Sequence, residues 1–251
     1  MKALLFGSIG VIVDSSSLQL EAYNRAFEEC GLDWRWEPDV YESMLTTSGG
    51  RRRMREYAER EGGEAPSDET IARVHERKTE LFGEMLEEGR ARARPGVRRL
   101  VDAARDGNVK LGFVTGTEPG NVAATLAAAG LERSDFDVVT DRTGVDAGKP
   151  DPAPFRQALE RLSLEPGDAV AIEDTEICLA SASGAGIVTV ATPNLYAGTQ
   201  DFSAAVSVVD HLGDEERAAR TLGGRDIVRG GLVTIDSLAS LLESEELSEV
   251  S

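Results

Sequence analysis

The chain has 251 residues, 41% of them hydrophobic, with 45 acidic and 27 basic side chains and a net charge of −18. That length and apolar content support a full core in one large domain or a domain with an insertion, and exclude a disordered chain. The negative balance argues against nucleic acid or an anionic membrane surface as partner, because both repel such a surface.

The first element is a short buried strand, KALLF (residues 2–6). It runs into a loop at Gly7, Ser8 and Ile9, which Gly10 interrupts before Asp14 and three serines offer helix caps. From Ser15 the spacing turns helical. Leu20, Tyr23, Phe27 and Cys30 fall on one helical face, with Gly31 placed as C-cap. Further helices are predicted over EPDVYESMLTTSGG (37–50), over RRRMREYAEREGG (51–63) and from Ser67 through EEG at 87–89, so residues 15–93 contain no strand. After Pro95 the pattern changes. Helices over 96–108, 119–131, 151–164 and 176–186 alternate with the strands KLGFVTG, FDVVT, DAVAIED and IVTVATP. Such alternation predicts a parallel sheet covered on both faces. AAVSVVD reads as an edge strand or half of a hairpin, GGLVTIDSLASLL as a further strand and closing helix, and LLESEELSEV as a fraying end.

Cys30 and Cys178 make no disulfide framework and no metal clip. They read as buried free thiols in a reducing compartment. Met1 leads straight into a short strand, so neither a signal peptide nor a membrane span is predicted, and a cytoplasmic location is expected. The architecture that follows is an α/β core, residues 1–14 and 94–251, interrupted by an all-helical insertion at 15–93. An insertion after the first strand lies over the carboxyl ends of the sheet, where ligands bind in such folds.

Three strand tips carry polar residues. Thr115, Gly116 and Thr117 close one strand and open the next helix, an arrangement that suits phosphate and equally suits an ordinary cap. Lys149, in GKP, stands in a loop before a helix, where a cation meets a phosphate or simply faces water. Glu173 and Asp174 share the tip of a buried strand, and their repulsion calls for a compensating cation or metal. His75 and His211 read as surface residues.

The order of first strand, insertion, VTGT, GKP and IEDT resembles the haloacid dehalogenase-like (HAD) superfamily, within it the CbbY and β-phosphoglucomutase-like branch. AYNRAFEECGLDWRW and TTSGGRRRMREY resemble that branch's helical cap. The resemblance implies a HAD-like Rossmannoid core with a helical cap, and phosphatase or hydrolase chemistry on a small phosphorylated sugar with Mg²⁺. It implies Thr115, Gly116 and Lys149 as phosphate ligands, and Asp174 with its neighbour Glu173 at the metal. Arg51 and Arg53 would meet the substrate's distal phosphate from the cap, and Asp14 would lie near the cap hinge.

The family's first strand ends in Asp-x-Asp-Gly-Thr, whose first Asp attacks phosphorus and whose second moves the proton. Aligned on Gly10 and Asp14, those positions are Gly7 and Ile9, and the threonine position is Val11. A hydrogen and an aliphatic branch neither attack phosphorus nor carry a proton. In an extended chain, positions 7 and 9 face the pocket together and Ser8 faces away. Cys178 stands where relatives carry glycine, and Gln19 where CbbY-like caps carry histidine. The expected protein is therefore a pseudoenzyme-like HAD hydrolase that keeps its anion pocket, with Mg²⁺ weakened. The alternatives are an active phosphatase or phosphomutase using a non-standard route, and a protein-interaction module.

Overall fold

The computed structural model describes residues 1–47, 49–62, 65–141, 143 and 148–243. β1 (Ala3–Phe6) leads into one helical turn, α1 (Ile9–Ile12), and the two-residue β2 (Val13–Asp14). Four helices follow: α2 (Ser16–Glu29), α3 (Pro38–Met44), α4 (Gly50–Glu61) and α5 (Asp68–Glu87). β3 (Arg92–Ala93) brings the chain back. Then come α6 (Val97–Asp106), β4 (Lys110–Val114), α7 (Pro119–Ala128), β5 (Val138–Thr140), α8 (Ala153–Leu162), β6 (Ala169–Glu173), α9 (Glu176–Gly184) and β7 (Val188–Ala191). β8 (Ser207–Val209), β9 (Thr221–Gly224), β10 (Val228–Arg229), β11 (Leu232–Val233) and α10 (Ile235–Glu243) complete it.

The main sheet has the order β5-β4-β1-β6-β7-β8-β9. It is parallel from β5 to β8, and β9 joins antiparallel. β1 is an interior strand, between β4 and β6, and its ALLF run is apolar at every position because both its faces are covered. Period-two alternation divides its side chains. Ala3 and Leu5 enter one hydrophobic cluster with Phe155 and Leu159 of α8, while Leu4 and Phe6 enter the larger one on the other face. The chain turns back at β1: β4 and β5 extend to one side, β6 and β7 to the other. A crevice forms at such a reversal, beyond the carboxyl ends of the strands.

The helical insertion hangs on a short ribbon, in which Val13 pairs with Ala93 and Asp14 with Arg92. Arg94, the next residue, fastens this junction. Its guanidinium donates to the carbonyls of Gly10 (3.1 Å), Thr192 (2.6 Å), Pro193 (3.1 Å) and Asp210 (2.9 Å). Within the insertion Trp36 is fully packed, its ring 4.6 Å from Tyr23 and 4.9 Å from Phe27. The Ser67 hydroxyl caps α5 by accepting from the Thr70 N–H at 3.2 Å, as its sequence position suggests.

Four details differ from the sequence reading. The stretch 15–93, expected to hold no strand, ends in β3 at Arg92–Ala93, because the chain leaving the helices pairs with the chain entering them. The helix expected over 37–50 stops at Met44, and Ser48 lies outside the described residues. Of the two readings of AAVSVVD, the edge strand fails and the hairpin holds: β8 is internal, because the glycine-ended TLGG of β9, next in the chain, pairs antiparallel beyond it. The chain at 9–12 is a helical turn rather than an extended loop. Residues 244–251, expected to fray, lie outside the described residues. No helix among the described residues is long and apolar enough to cross a membrane.

Candidate functional site

A cavity of about 670 Å³ separates the strand tips from the helical insertion. Ser8, Ile9, Gly10, Thr115, Gly116, Lys149, Asp174, Cys178 and Asn194 line it from the sheet. Gln19, Tyr23, Tyr41, Arg53, His75, Lys78 and Phe82 line it from the helices. Five expected site residues, Thr115, Gly116, Lys149, Asp174 and Arg53, are thus brought to one space. Arg51 is not: it sits on the exposed face of α4, two positions from Arg53 and therefore about 200° around the helix. Glu173 is fully buried beneath the cavity and does not line it.

At the sheet end, register explains the arrangement. Phe6 pairs with Ile172, so Gly7 and Glu173 are the next neighbours across β1 and β6. A Cβ on Gly7 would land inside the Glu173 carboxylate. Glu173 Oε1 accepts a hydrogen bond from Lys149 Nζ, while its Oε2 is buried with no hydrogen-bond partner. Burial pushes Glu173 up to about 7 against the pull of Lys149. Burial, the largest single influence, works against the Lys149 cation too, but Glu173 together with Cys178 and Asp174 holds the lysine above its ordinary value.

Ser8 overturns its expected orientation. Because the chain coils into α1 straight after it, Ser8 lines the cavity, and its hydroxyl donates to Asp174 Oδ1. Asn194 Nδ2 donates to Asp174 Oδ2 at 3.0 Å. A Cβ on Gly10 would land on that same Oδ2, so glycine there lets Asp174 reach the strand tip. Thr115 is buried; its Oγ1 accepts from the Thr117 N–H at 3.3 Å and its carbonyl accepts from Thr140 Oγ1 at 3.2 Å. The Thr115 hydroxyl proton is thus turned to neither partner.

At the helical end, Arg53 donates to the carbonyls of Met44 (3.0 Å) and Thr47 (3.1 Å) and lies over the rings of Tyr23 and Tyr41. Lys78 Nζ donates to Gln19 Oε1 and lies 4.9 Å from the Tyr23 ring centroid and 5.1 Å from that of Phe82. None of these partners carries a negative charge. Burial, and then the neighbouring Arg53, bring Lys78 down to about 7. Gly50 opens α4 because a Cβ there would stand 2.5 Å from the Tyr23 hydroxyl and 2.6 Å from His75.

The donors do not fit a Mg²⁺ site of the usual kind. That ion takes hard oxygens in near-octahedral array, normally with one or two carboxylates. Ligand atoms of Glu173, Asp174 and Cys178 do come within 4.8 Å of one another. Yet Glu173 is held by Lys149 outside the cavity, both Asp174 oxygens already carry hydrogen bonds, and burial pushes the Cys178 thiol up to about 12. A protonated thiol is a poor partner for a hard cation. Of the expected Asp174–Glu173 pair, which does stand together, Asp174 lines the cavity while Glu173 is turned to Lys149.

Several residues here escape a motif-based reading. Lys78 sits among charged neighbours, in HERKTELF. Yet Ile71, Val74, Leu81, Phe82 and Met85 lie seven, four, three, four and seven positions from it, and all are buried. A lysine on the apolar stripe of a helix is the legible signal. His75 shares that stripe, which is why it lines the cavity instead of the surface. Asn194, in a loop after β7, offers no such pattern. His211 is elsewhere, half-buried, with Nδ1 accepting from the Gly213 N–H at 3.1 Å. Both cysteines are free, and each is half-buried rather than buried.

Residues 1–186 match the haloacid dehalogenase-like hydrolase family. The chain is 37% identical over 220 residues to the plasmid-encoded protein CbbY of Cupriavidus necator, covering 85% of this chain and 87% of that one. It is 32% identical over 196 residues to the phosphorylated carbohydrates phosphatase of Thermotoga maritima, covering 74% and 82%. Among solved structures, CbbY from Rhodobacter sphaeroides in complex with phosphate superposes with a TM-score of 0.78 at 33% identity, covering 84% of this chain and 94% of that one. A variant of that protein in complex with xylulose-(1,5)bisphosphate gives the same values.

Proposed function

The chain belongs to the haloacid dehalogenase-like hydrolase family, and from that premise we propose a CbbY-related, sugar-phosphate phosphatase-like protein that binds a small phosphorylated sugar without the family's usual turnover. Residues 15–93 act as the cap, and residues 1–14 and 94–251 as the core. Thr115, Gly116 and Lys149 receive one anionic group of the ligand, and Arg53 with Lys78 receives the other end. The bisphosphate bound by the Rhodobacter protein supports a two-ended ligand of this size.

One observation carries the loss of turnover: the volume of a side chain at position 7 is filled by Glu173, which does not face the cavity. With Ile9 at the second position, neither attack on phosphorus nor proton transfer has a group to perform it. Removing a nucleophile in another enzyme class costs on the order of 10⁶ in turnover. Mg²⁺ keeps no more than a weak place at Asp174.

The test is a panel of sugar monophosphates and bisphosphates, assayed for phosphate release and for ligand-dependent thermal stabilisation. Stabilisation without release is expected. Release that Lys149→Ala abolishes would overturn the reading. A second reading, an active phosphatase by a non-standard route, is favoured by one contact, Ser8 turned to the cavity and bonded to Asp174. It predicts release that Ser8→Ala abolishes.

A further inference from the structure

We propose that Glu173 has taken the seat vacated at position 7 and from there competes with the ligand's phosphate for Lys149, so that Glu173 sets the affinity of the sheet end. The inference rests on Lys149 being a phosphate ligand. Lys149 lines the cavity with 8% of its surface exposed, whereas Glu173 has none. An arriving anion therefore reaches the lysine from one side while the carboxylate holds it from the other.

The competition is electrostatic rather than steric. An ammonium has three donors, and Glu173 occupies one of them. What it removes is charge: the anion meets a neutralised pair, with Asp174 a further negative group on the same strand tip. In a site screened from water, that neutralisation matters more than it does on a surface. The seat does not satisfy Glu173 either, since Oε2 is buried without a hydrogen-bond partner. A carboxylate only half satisfied binds its lysine in a contest that a dianionic phosphate can enter.

Two variants read the contest. Glu173→Gln keeps the shape and removes the charge; Glu173→Ala removes both and serves if the amide variant fails to fold. Inorganic phosphate is titrated by calorimetry into the native chain, both variants and Lys149→Ala, with the melting temperature of each unliganded protein as a folding check. Phosphate is expected to bind Glu173→Gln and Glu173→Ala about tenfold more tightly than the native chain, and Lys149→Ala at least tenfold more weakly. Equal or weaker binding to both Glu173 variants, with the Lys149→Ala loss intact, would overturn the competition and leave the phosphate reading standing. Native binding that Lys149→Ala leaves unchanged would overturn both, because Lys149 would then not be the ligand.

Discussion

The two ends of the cavity handle charge in opposite ways. At the sheet end each charged group has an answer inside the protein: Lys149 has Glu173, and Asp174 has the Ser8 hydroxyl and the Asn194 amide. At the helical end the cations Arg53 and Lys78 are met by carbonyls, an amide and aromatic rings. Lys149 has a counter-charge within the sheet end, whereas Arg53 and Lys78 have neutral partners at the helical end. On the function proposed above, the contrast would let a site lose its reactive groups and keep its attraction for an anion, because Gly7 and Ile9 lie on a different segment from Arg53 and Lys78.

The largest test of this contrast is Lys149→Met. Removing one partner of a buried pair strands the other, at a cost of about 3 kcal/mol or more. Urea unfolding should show it as a lower midpoint with an unchanged slope. Gly7→Ala comes next, because its methyl group meets the Glu173 carboxylate; overpacking of this kind costs about 1–3 kcal/mol. An unchanged midpoint would mean that Glu173 leaves its seat freely. Lys78→Met at the other end should go the opposite way, stabilising the unliganded protein by about 1 kcal/mol, since an apolar side chain replaces a cation buried without a counter-charge. The same change should weaken anion binding at least tenfold.

The pH dependence sharpens the comparison further. Lys78 is brought from 10.5 down to about 7 in the fold. Between those values the unfolded chain binds more protons, so this residue makes stability rise with pH across that window; its cost is fully present below pH 7. The advantage of Lys78→Met should therefore be greatest below pH 7 and fade towards pH 10. At pH 8, sulfate binding should draw most of one proton onto the native protein and none onto Lys78→Met, measured by calorimetry in buffers of different ionisation enthalpy. The smallest expected effect is that of Mg²⁺. Phosphate affinity in excess chelator and in millimolar Mg²⁺ should agree within about twofold, because Asp174 alone makes a poor site.

Much of this molecule is legible in its sequence, for a physical reason. The β1 run is apolar at every position because both faces are covered, and the later strands alternate with helices at a spacing only a parallel sheet accommodates. Strand tips announce themselves too, since Thr115 and Asp174 follow apolar runs. The less legible features depend on neighbours distant in the chain. Whether Ser8 faces in or out turns on four residues coiling into α1, which the period-two rule does not anticipate. That Glu173 fills the space above Gly7 follows from the register of β1 against β6, residues 166 apart. Arg51 and Arg53 look alike in the string RRRMR, and only the rotation of α4 separates the one that reaches the cavity.

The ribbon of Val13, Asp14, Arg92 and Ala93 joins the two halves of the site by just two chain crossings. The two halves also meet where α5 packs on α7 and where Glu42 accepts from Thr199, and a small anion that touches both is a further strut between them. Its arrival should quieten the ribbon itself, slowing amide hydrogen exchange and proteolytic nicking at residues 13–15 and 92–94, some distance from any atom it contacts.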